Sequence, residues 1–170
     1  VGVLITGKSG IGKSEVALEL IRRGYILVAD DMVEIYQLEK GVIIGEAPNM
    51  LKKYLEIRGV GIVNVVYLFG IRAYREDKKI SLIVRLDKWD DDSEFDRLGL
   101  KEEYHTIFDT KIAFASLPIT EARNTATLVE AAAHDFKAKQ MGFNSAHEFN
   151  HLLNKEIKKN QHKEDEEQDE

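Results

Sequence analysis

Short apolar runs, separated by glycine, proline or charged residues, predict the order of secondary structure along this chain. Residues 3–6, 25–29 and 32–36 are too short for helices and rich in strand-forming side chains, so each run predicts a strand. Residues 15–23 are mostly helix formers and end at Gly24, which predicts a helix after the first strand. The chain therefore begins with a predicted strand–helix–strand unit.

The middle of the chain contains more predicted strands than helices. Strands are predicted at residues 42–44, 80–86, 104–108 and 111–119. Residues 50–55 predict a short helix, and residues 56–61 predict a charged, glycine-spaced loop. Residues 62–69 are apolar but too few for their period to distinguish a helix from a strand.

Two amphipathic helices are predicted near the C-terminus. Asn124 caps the first, which runs to Met141 before Gly142 ends it, and the second runs from Asn144 or Ser145 to about residue 159. Their apolar faces are Leu128, Val129, Ala132 and Phe136 in the first and Ala146, Phe149, Leu153 and Ile157 in the second. The expected fold class is α/β, a mixed sheet with flanking helices, and the two C-terminal helices cover this sheet or a neighbouring subunit.

The composition indicates one globular domain, residues 1–160, followed by an acidic tail, residues 161–170, that is expected to be disordered. Six acids among the last seven residues account for the net charge of −6, because the rest of the chain carries 24 acidic and 24 basic residues. A neutral body lacks the basic excess of a nucleic-acid-binding domain. Apolar runs fall short of the roughly 18 residues that span a bilayer. The first strand begins so close to Val1 that we expect the chain to be a fragment.

A glycine-rich segment between the first predicted strand and helix matches the phosphate-loop pattern GxxxxGK[ST]. Its residues are Gly7, Lys8, Ser9, Gly10, Ile11, Gly12, Lys13 and Ser14. The glycines allow a tight turn whose backbone N–H groups converge, and the start of the helix adds partial positive charge. Lys13 is placed to reach the β- and γ-phosphates, and the Ser14 hydroxyl is placed to hold Mg²⁺. The segment predicts nucleotide or polyphosphate binding without indicating the reaction.

Five charged residues elsewhere are candidates for the rest of such a site. Asp30 and Asp31 follow an apolar run, so at least one is expected at the sheet edge beside the phosphates, where it could accept a proton. Glu56 could bind Mg²⁺ and Arg58 could clamp phosphate, although a surface loop is an equally good interpretation. Arg123 lies where a helix begins, a position unfavourable for a cation unless it faces an anion.

Several stretches together resemble one family, the C-terminal catalytic domain of HPr kinase/phosphorylase, from residue 1 to about residue 153. The phosphate loop followed by Glu15 is similar to the family's GxSGxGKSE, and residues 27–31 (LVADD) resemble its second block. Residues 55–64 (LEIRGVGIVN) resemble its signature segment, which is more specific than the phosphate loop. Further similarity is found in FDRLG, residues 95–99, and PITEARN, residues 118–124.

The resemblance implies phosphorylation of a serine of the phosphocarrier protein HPr by ATP, or by pyrophosphate in some members, in the regulation of bacterial sugar uptake and carbon catabolite repression. It also implies phosphate-dependent dephosphorylation of phosphoserine-HPr, which gives pyrophosphate. It implies that Lys13 contacts the transferred phosphoryl group, that Ser14 and Glu56 hold Mg²⁺, and that Asp31 accepts the serine proton. Asp30 would support the metal or Asp31.

Arg97, which alone is more typical of a surface ion pair, is an active-site arginine by the same resemblance, and the segment ending at Arg123 is tied to the reverse reaction. The resemblance further implies a cytoplasmic homohexamer with a nucleotide site like that of phosphoenolpyruvate carboxykinases. It implies an upstream domain and a histidine upstream of the phosphate loop. The composition and the short apolar runs predict no nucleic-acid or membrane partner. Lys8 stands where the family usually has an acid, and residues 119–122 lack its usual glycine and basic residue. A small-molecule kinase and a non-catalytic, nucleotide-gated oligomeric module remain alternatives.

Overall fold

The chain forms nine strands and four α-helices within the described residues, which are 1–88, 101–120 and 123–168 of this computed structural model. In chain order they are β1 (Val3–Gly7), α1 (Lys13–Arg22), β2 (Glu34–Glu39), β3 (Val42–Glu46), β4 (Tyr54–Ile57), β5 (Gly61–Asn64), α2 (Val65–Phe69), β6 (Asp77–Lys79), β7 (Leu82–Lys88), β8 (Glu103–Ile107), β9 (Thr110–Ile119), α3 (Thr125–Gln140) and α4 (Ser145–Gln168). Two 3₁₀ turns lie at Asn49–Leu51 and Ile71–Ala73.

The central sheet has four strands in the order β1-β7-β9-β8. β1, β7 and β9 are parallel, and β8 runs antiparallel to β9, so the predicted mixed sheet is confirmed. Because three strands are parallel, their carboxyl ends share one edge, and the phosphate loop leaves β1 at that edge. On one face of the sheet, Val84 and Leu86 are buried against Val16 of α1 and Val129 of α3.

The opposite face of the central sheet is covered by a smaller antiparallel sheet of β2, β3 and β6. Ile43 of β3 and Ile80, just after β6, are buried there against Ile83 and Ile112 of the central sheet. A third apolar cluster joins α1 to the β4–β5 hairpin through Ile21 and the fully buried Leu55. α1 and the β4–β5 hairpin, which carry candidate site residues, are therefore packed against each other, and α1 is packed against the central sheet.

The strand predicted at residues 25–29 is wrong. Within this segment only Leu27 pairs, in an isolated parallel bridge with Tyr74. Residues 24–31 and β1 both line a cavity of about 770 Å³, and no ladder joins them. The run is apolar because Leu27 packs in the cluster of Ile21 and Leu55. Its pattern indicated burial, and burial does not require strand pairing.

The helix predicted at residues 50–55 and the loop predicted at residues 56–61 are also wrong. A single 3₁₀ turn is followed by β4, which pairs with β5 so that Glu56 lies opposite Ile62. Tyr54 and Glu56 are exposed, and Leu55 between them is buried, which is the alternation of a half-buried strand. The ambiguous run that follows divides into β5 and α2, and the side chain of Asn64 caps α2.

The two C-terminal helices differ in their packing. α3 begins as predicted, with the Asn124 side chain accepting from the N–H of Thr127 at 3.1 Å, and its apolar face contacts the central sheet. α4 continues to Gln168, into the segment expected to be a disordered tail. Between residues 145 and 161, only Ala146 and Asn150 are not exposed, so its apolar stripe does not cover the sheet. No helix in the described ranges is long and apolar enough to cross a membrane.

Candidate functional site

Ten residues surround a cavity of about 180 Å³ next to the phosphate loop. They are Ser9, Gly10, Gly12, Lys13, Ser14, Glu15, Asp30, Asp31, Glu56 and Arg58. Nine of these ten were candidates from the sequence, and Glu15 in the first turn of α1 is the addition. The cavity is lined mainly by polar atoms, as expected of a site for a charged ligand.

The loop presents the start of α1 to this cavity. Gly12 is the N-cap residue of α1 and has the left-handed φ of 98°, a conformation that costs a residue with a side chain about 1 kcal/mol or more. It provides no side chain to cap the helix, so the first N–H groups of α1 are left for a ligand. Backbone geometry and helix charge therefore both favour an anion at this point.

The side chain of Lys13 folds back over the loop. Its ammonium group donates to the carbonyl oxygens of Gly7, at 3.3 Å, and Lys8, at 3.4 Å. These long hydrogen bonds hold a positive charge beside the N–H groups of the loop before a ligand arrives. Such preorganisation lowers the ordering cost of binding a phosphate.

The carboxylate of Asp30 connects three segments of the site. Its Oδ1 accepts from the Ser14 hydroxyl at 2.9 Å, and its Oδ2 accepts from the backbone N–H of Glu56 at 2.9 Å. Asp30 is half-buried, whereas Asp31 is exposed at the same cavity. In the described residues, no side chain is hydrogen-bonded to Asp31 or forms an ion pair with it. One carboxylate therefore organises the site, and the other is available to a ligand.

The β4–β5 hairpin forms the far wall. Burial of Leu55 on one side of β4 directs Glu56 to the other side, towards the cavity. Arg58 lies in the hairpin turn, and its guanidinium group is so close to Gly10 that an added Cβ there would be 3.4 Å from Nη2. The segment predicted as a loop is thus a strand and turn that face the phosphate loop.

The oxygen donors around the cavity suit a magnesium ion. Ser14, Glu56 and the two aspartates offer hydroxyl and carboxylate oxygens, the ligands that Mg²⁺ prefers. Among the described side chains, no group of three or more histidines, cysteines and acids is close enough to hold a metal ion alone. The donor set therefore fits an ion that keeps water or phosphate ligands better than one held by protein alone.

The remaining predicted residues lie away from this wall. Arg97 is outside the described residues, as are positions 121 and 122. Arg123 does not line the cavity, and its backbone N–H donates to the carbonyl of Thr120 at 3.3 Å, just before α3. The backbone of Lys8 belongs to the loop, and its side chain is exposed.

Sequence reasoning missed two acids near the site. Glu15 follows Ser14 directly, and an acid in the first turn of a helix was attributable to the helix dipole alone. Asp87 lies at the carboxyl end of β7, beside the strand that leads into the phosphate loop. Its strand was predicted to end one residue earlier, although an aspartate after an apolar run is the signal that had already identified Asp30.

Comparisons with known proteins find one family of similar sequences. A family model described as HPr Serine kinase C-terminal domain matches residues 1–153. The HPr kinase/phosphorylase of Geobacillus sp. (strain WCH70) is 51% identical over 162 residues, covering 95% of this chain and 52% of that protein. That of Bacillus subtilis (strain 168) is 50% identical over 153 residues, covering 90% and 49%. The chain spans about half the length of these curated relatives.

A solved structure described as the Hpr(Ser) kinase/phosphatase from Coxiella burnetii has a similar fold. Its TM-score is 0.77 at 34% sequence identity, and the match covers 86% of this chain and 89% of that one. The mixed sheet with flanking helices is therefore shared with a protein of that description.

Proposed function

The chain belongs to the HPr serine kinase C-terminal domain family, and we propose that it transfers a phosphoryl group from ATP to a serine of HPr. The observation that carries the proposal is the cavity in which Lys13 and Ser14 of the phosphate loop meet Asp30, Asp31 and Glu56. Relatives named HPr kinase/phosphorylase, about half identical in sequence, support HPr as the substrate. Pyrophosphate is the alternative donor.

In the forward reaction, the loop N–H groups and Lys13 bind the β- and γ-phosphates of the donor. Asp31 accepts the proton of the serine hydroxyl as its oxygen bonds to the γ-phosphorus and the bond to the β-phosphate oxygen breaks. Asp30 holds the Ser14 hydroxyl by accepting a hydrogen bond from it, which leaves the lone pairs of the Ser14 oxygen free to coordinate. Ser14 and Glu56 would hold Mg²⁺, which would neutralise part of the phosphate charge.

We propose the reverse reaction in the same site. Inorganic phosphate attacks the phosphorus of phosphoserine, and Asp31 returns its proton to the departing serine oxygen, so the products are serine and pyrophosphate. Arg58, at the wall beside Gly10, would contact a phosphate oxygen. Arg97 and Arg123 are proposed as further phosphate contacts.

The whole protein is proposed to be a cytoplasmic homohexamer with a nucleotide site like that of phosphoenolpyruvate carboxykinases. Exposed apolar side chains on α4 support self-association, since Phe149 is 55% exposed and Leu152 is 63% exposed. We propose no nucleic-acid partner, because the chain lacks the excess of basic residues that a nucleic-acid-binding domain carries.

One experiment tests the transfer. The chain is incubated with HPr, Mg²⁺ and ATP labelled at the γ-phosphate, and inorganic phosphate is added after the label is consumed. We expect label on a serine of HPr, followed by labelled pyrophosphate. The matched variant Asp31→Asn should still bind ATP but lose transfer by about a hundredfold or more.

Each alternative has its own outcome in this experiment. Unlabelled HPr, together with transfer of the label to a small hydroxyl compound added to the mixture, would overturn the proposal in favour of a small-molecule kinase. ATP binding without turnover of any kind would indicate a nucleotide-gated module. Undiminished transfer in Asp31→Asn would overturn the role given to that carboxylate.

A further inference from the structure

A second polar cluster lies beside the cavity, at the carboxyl end of the central sheet. The Oδ2 atom of Asp87 accepts from Arg85 Nε at 2.7 Å and from the Ser116 hydroxyl at 2.5 Å. The guanidinium group of Arg85 also lies 5.2 Å from the centre of the Phe114 ring. The cluster joins β7 to β9 by side chains, and the phosphoryl transfer proposed above assigns it no role.

The cluster leaves Asp87 with a negative charge and a free acceptor atom. Burial raises the pKa of this carboxyl, but the hydrogen bonds from Ser116 and Arg85 and the charges of Arg85 and Lys8 lower it by more, so the pKa lies below its ordinary value. Both hydrogen bonds end at Oδ2, and no donor from the described part of the chain reaches Oδ1. A further cation therefore has a place to bind.

The strand register brings Lys8 to this carboxylate. Gly7, the last residue of β1, lies opposite Leu86 in the parallel ladder, whose strands are about 4.8 Å apart. Lys8 and Asp87 are the residues that follow this last pair. The Lys8 side chain is exposed, and within the described ranges it forms no ion pair. Its backbone carbonyl accepts from Lys13, which fixes its Cα in the phosphate loop. A lysine side chain anchored there is long and flexible enough to turn either towards the Asp87 carboxylate or towards a polyphosphate bound in the loop.

We propose that Asp87 is a positioning residue for Lys8: its carboxylate competes with the bound polyphosphate for the Lys8 ammonium group and so weakens donor binding. In the empty site, the charge of Lys8 acts on Asp87 although the two side chains form no ion pair, and when ATP or pyrophosphate binds, Lys8 turns to its phosphate oxygens. The pair thereby limits retention of the polyphosphate that the forward reaction consumes and the reverse reaction releases. This inference rests on the proposed function for the identity of these ligands.

The variant Asp87→Asn tests the competition because its amide oxygen still accepts from Ser116 while the charge is gone. We expect the dissociation constants of Mg-ATP and Mg-pyrophosphate, measured by titration calorimetry, to fall about threefold to tenfold. In a Lys8→Gln background, the same change should have less than about a twofold effect. Raising the salt to about 1 M should reduce the difference, because exposed charges are then screened.

Ser116→Ala is the matched control, since it removes a hydrogen bond from the cluster and keeps the charge of Asp87. Its dissociation constants should stay within about twofold of the native values. If Asp87→Asn changes the dissociation constants equally with and without Lys8, or changes them in neither background, the proposed competition is overturned and Asp87 has a structural role only.

Folding of the variants is checked by urea unfolding before binding is measured. If Asp87→Asn does not fold, Lys8→Gln decides, because Lys8 is exposed and its loss should weaken Mg-pyrophosphate binding at least about threefold. Unchanged binding in Lys8→Gln would overturn the proposal. Pyrophosphate titration needs no HPr, so the two proposals can fail separately. If the effect of Asp87→Asn depends on Lys8 but HPr is not phosphorylated, only the proposed function is overturned. If HPr is phosphorylated but the effect of Asp87→Asn does not depend on Lys8, only this inference is overturned.

Discussion

Asp30→Asn separates the organising role of Asp30 from the proton-accepting role proposed for Asp31. In the native chain, Ser14 donates its hydroxyl proton to Oδ1, and the N–H of Glu56 donates to Oδ2. An asparagine can still accept from Glu56, but its amide N–H₂ then points at Ser14. The Ser14 oxygen must accept that N–H, which occupies a lone pair otherwise available to a metal ion.

The magnitudes follow from these two hydrogen bonds. Asparagine keeps both contacts without the charge, so we expect the free energy of unfolding to fall by only about 1 kcal/mol. Asp30→Ala loses both contacts, and because Asp30 is half-buried the loss should be about 1–3 kcal/mol. The occupied lone pair on Ser14 should raise the dissociation constant of Mg-ATP about tenfold or more, which corresponds to about 1.4 kcal/mol.

The assay is calorimetric titration of the chain with ATP, once with Mg²⁺ and once with a chelator. Asp30→Asn should weaken binding only when Mg²⁺ is present, because the loop and Lys13 are unchanged. Asp31→Asn is the matched control, with the same chemical change at the neighbouring residue. It should bind Mg-ATP within about threefold of the native chain, since no described side chain depends on Asp31.

Two results would refute this reasoning. Native affinity for Mg-ATP in Asp30→Asn would mean that the orientation of Ser14 does not affect the metal. An equal loss with and without Mg²⁺ would mean that Asp30 shapes the whole loop rather than the coordination of Ser14. Urea unfolding of the same samples shows whether either variant has lost its fold.

Two further predictions concern stability. Glu130 accepts from Tyr25 at 2.7 Å and from Arg23 at 2.7 Å, which hold its pKa below the ordinary 4.5. Because the pKa is lower in the folded state, ionised Glu130 stabilises the fold above pH 4.5, and this stabilisation is lost as the pH falls through the folded-state pKa. Glu130→Gln should therefore lower the urea midpoint at pH 7, and the difference from the native chain should shrink below pH 4.5. A difference that stays constant with pH would contradict this. Leu55→Ala, at a fully buried position, should lower the free energy of unfolding in urea by about 2–5 kcal/mol and weaken Mg-ATP binding by displacing Glu56. The control Leu152→Ala, on the exposed surface of α4, should lower it by less than about 1 kcal/mol. Equal losses in the two variants would contradict the burial argument.

Local chemistry made part of this protein predictable from its sequence. The phosphate loop needs glycines, a lysine and a serine at set spacings between a strand and a helix, and each requirement is met within a short segment of the chain. The cap at Asn124 and the end of α3 before Gly142 are similarly local. Such features depend on neighbours a few residues away, so they can be read without the fold.

Segments whose partners are distant were less predictable. Residues 25–29 and 62–69 are apolar for burial, and an apolar run does not reveal whether a strand, a bridge or a helix does the burying. The alternation of Tyr54, Leu55 and Glu56 is too short to identify a strand until β5 is seen beside it. Tertiary contacts decided these elements against local propensity.

The sequence by itself determined that a phosphate-binding loop would be present and that Asp30, Asp31, Glu56 and Arg58 were candidates to join it. Only the tertiary structure decided which of the two aspartates holds Ser14 and that the carboxylate of Asp87 lies beside the loop. The reason is strand pairing, because β1 and β7 are separated by about half the chain and their register is set by burial of whole strands. A one-residue shift would turn Asp87 to the face of the sheet that α1 and α3 cover and remove it from the neighbourhood of the loop.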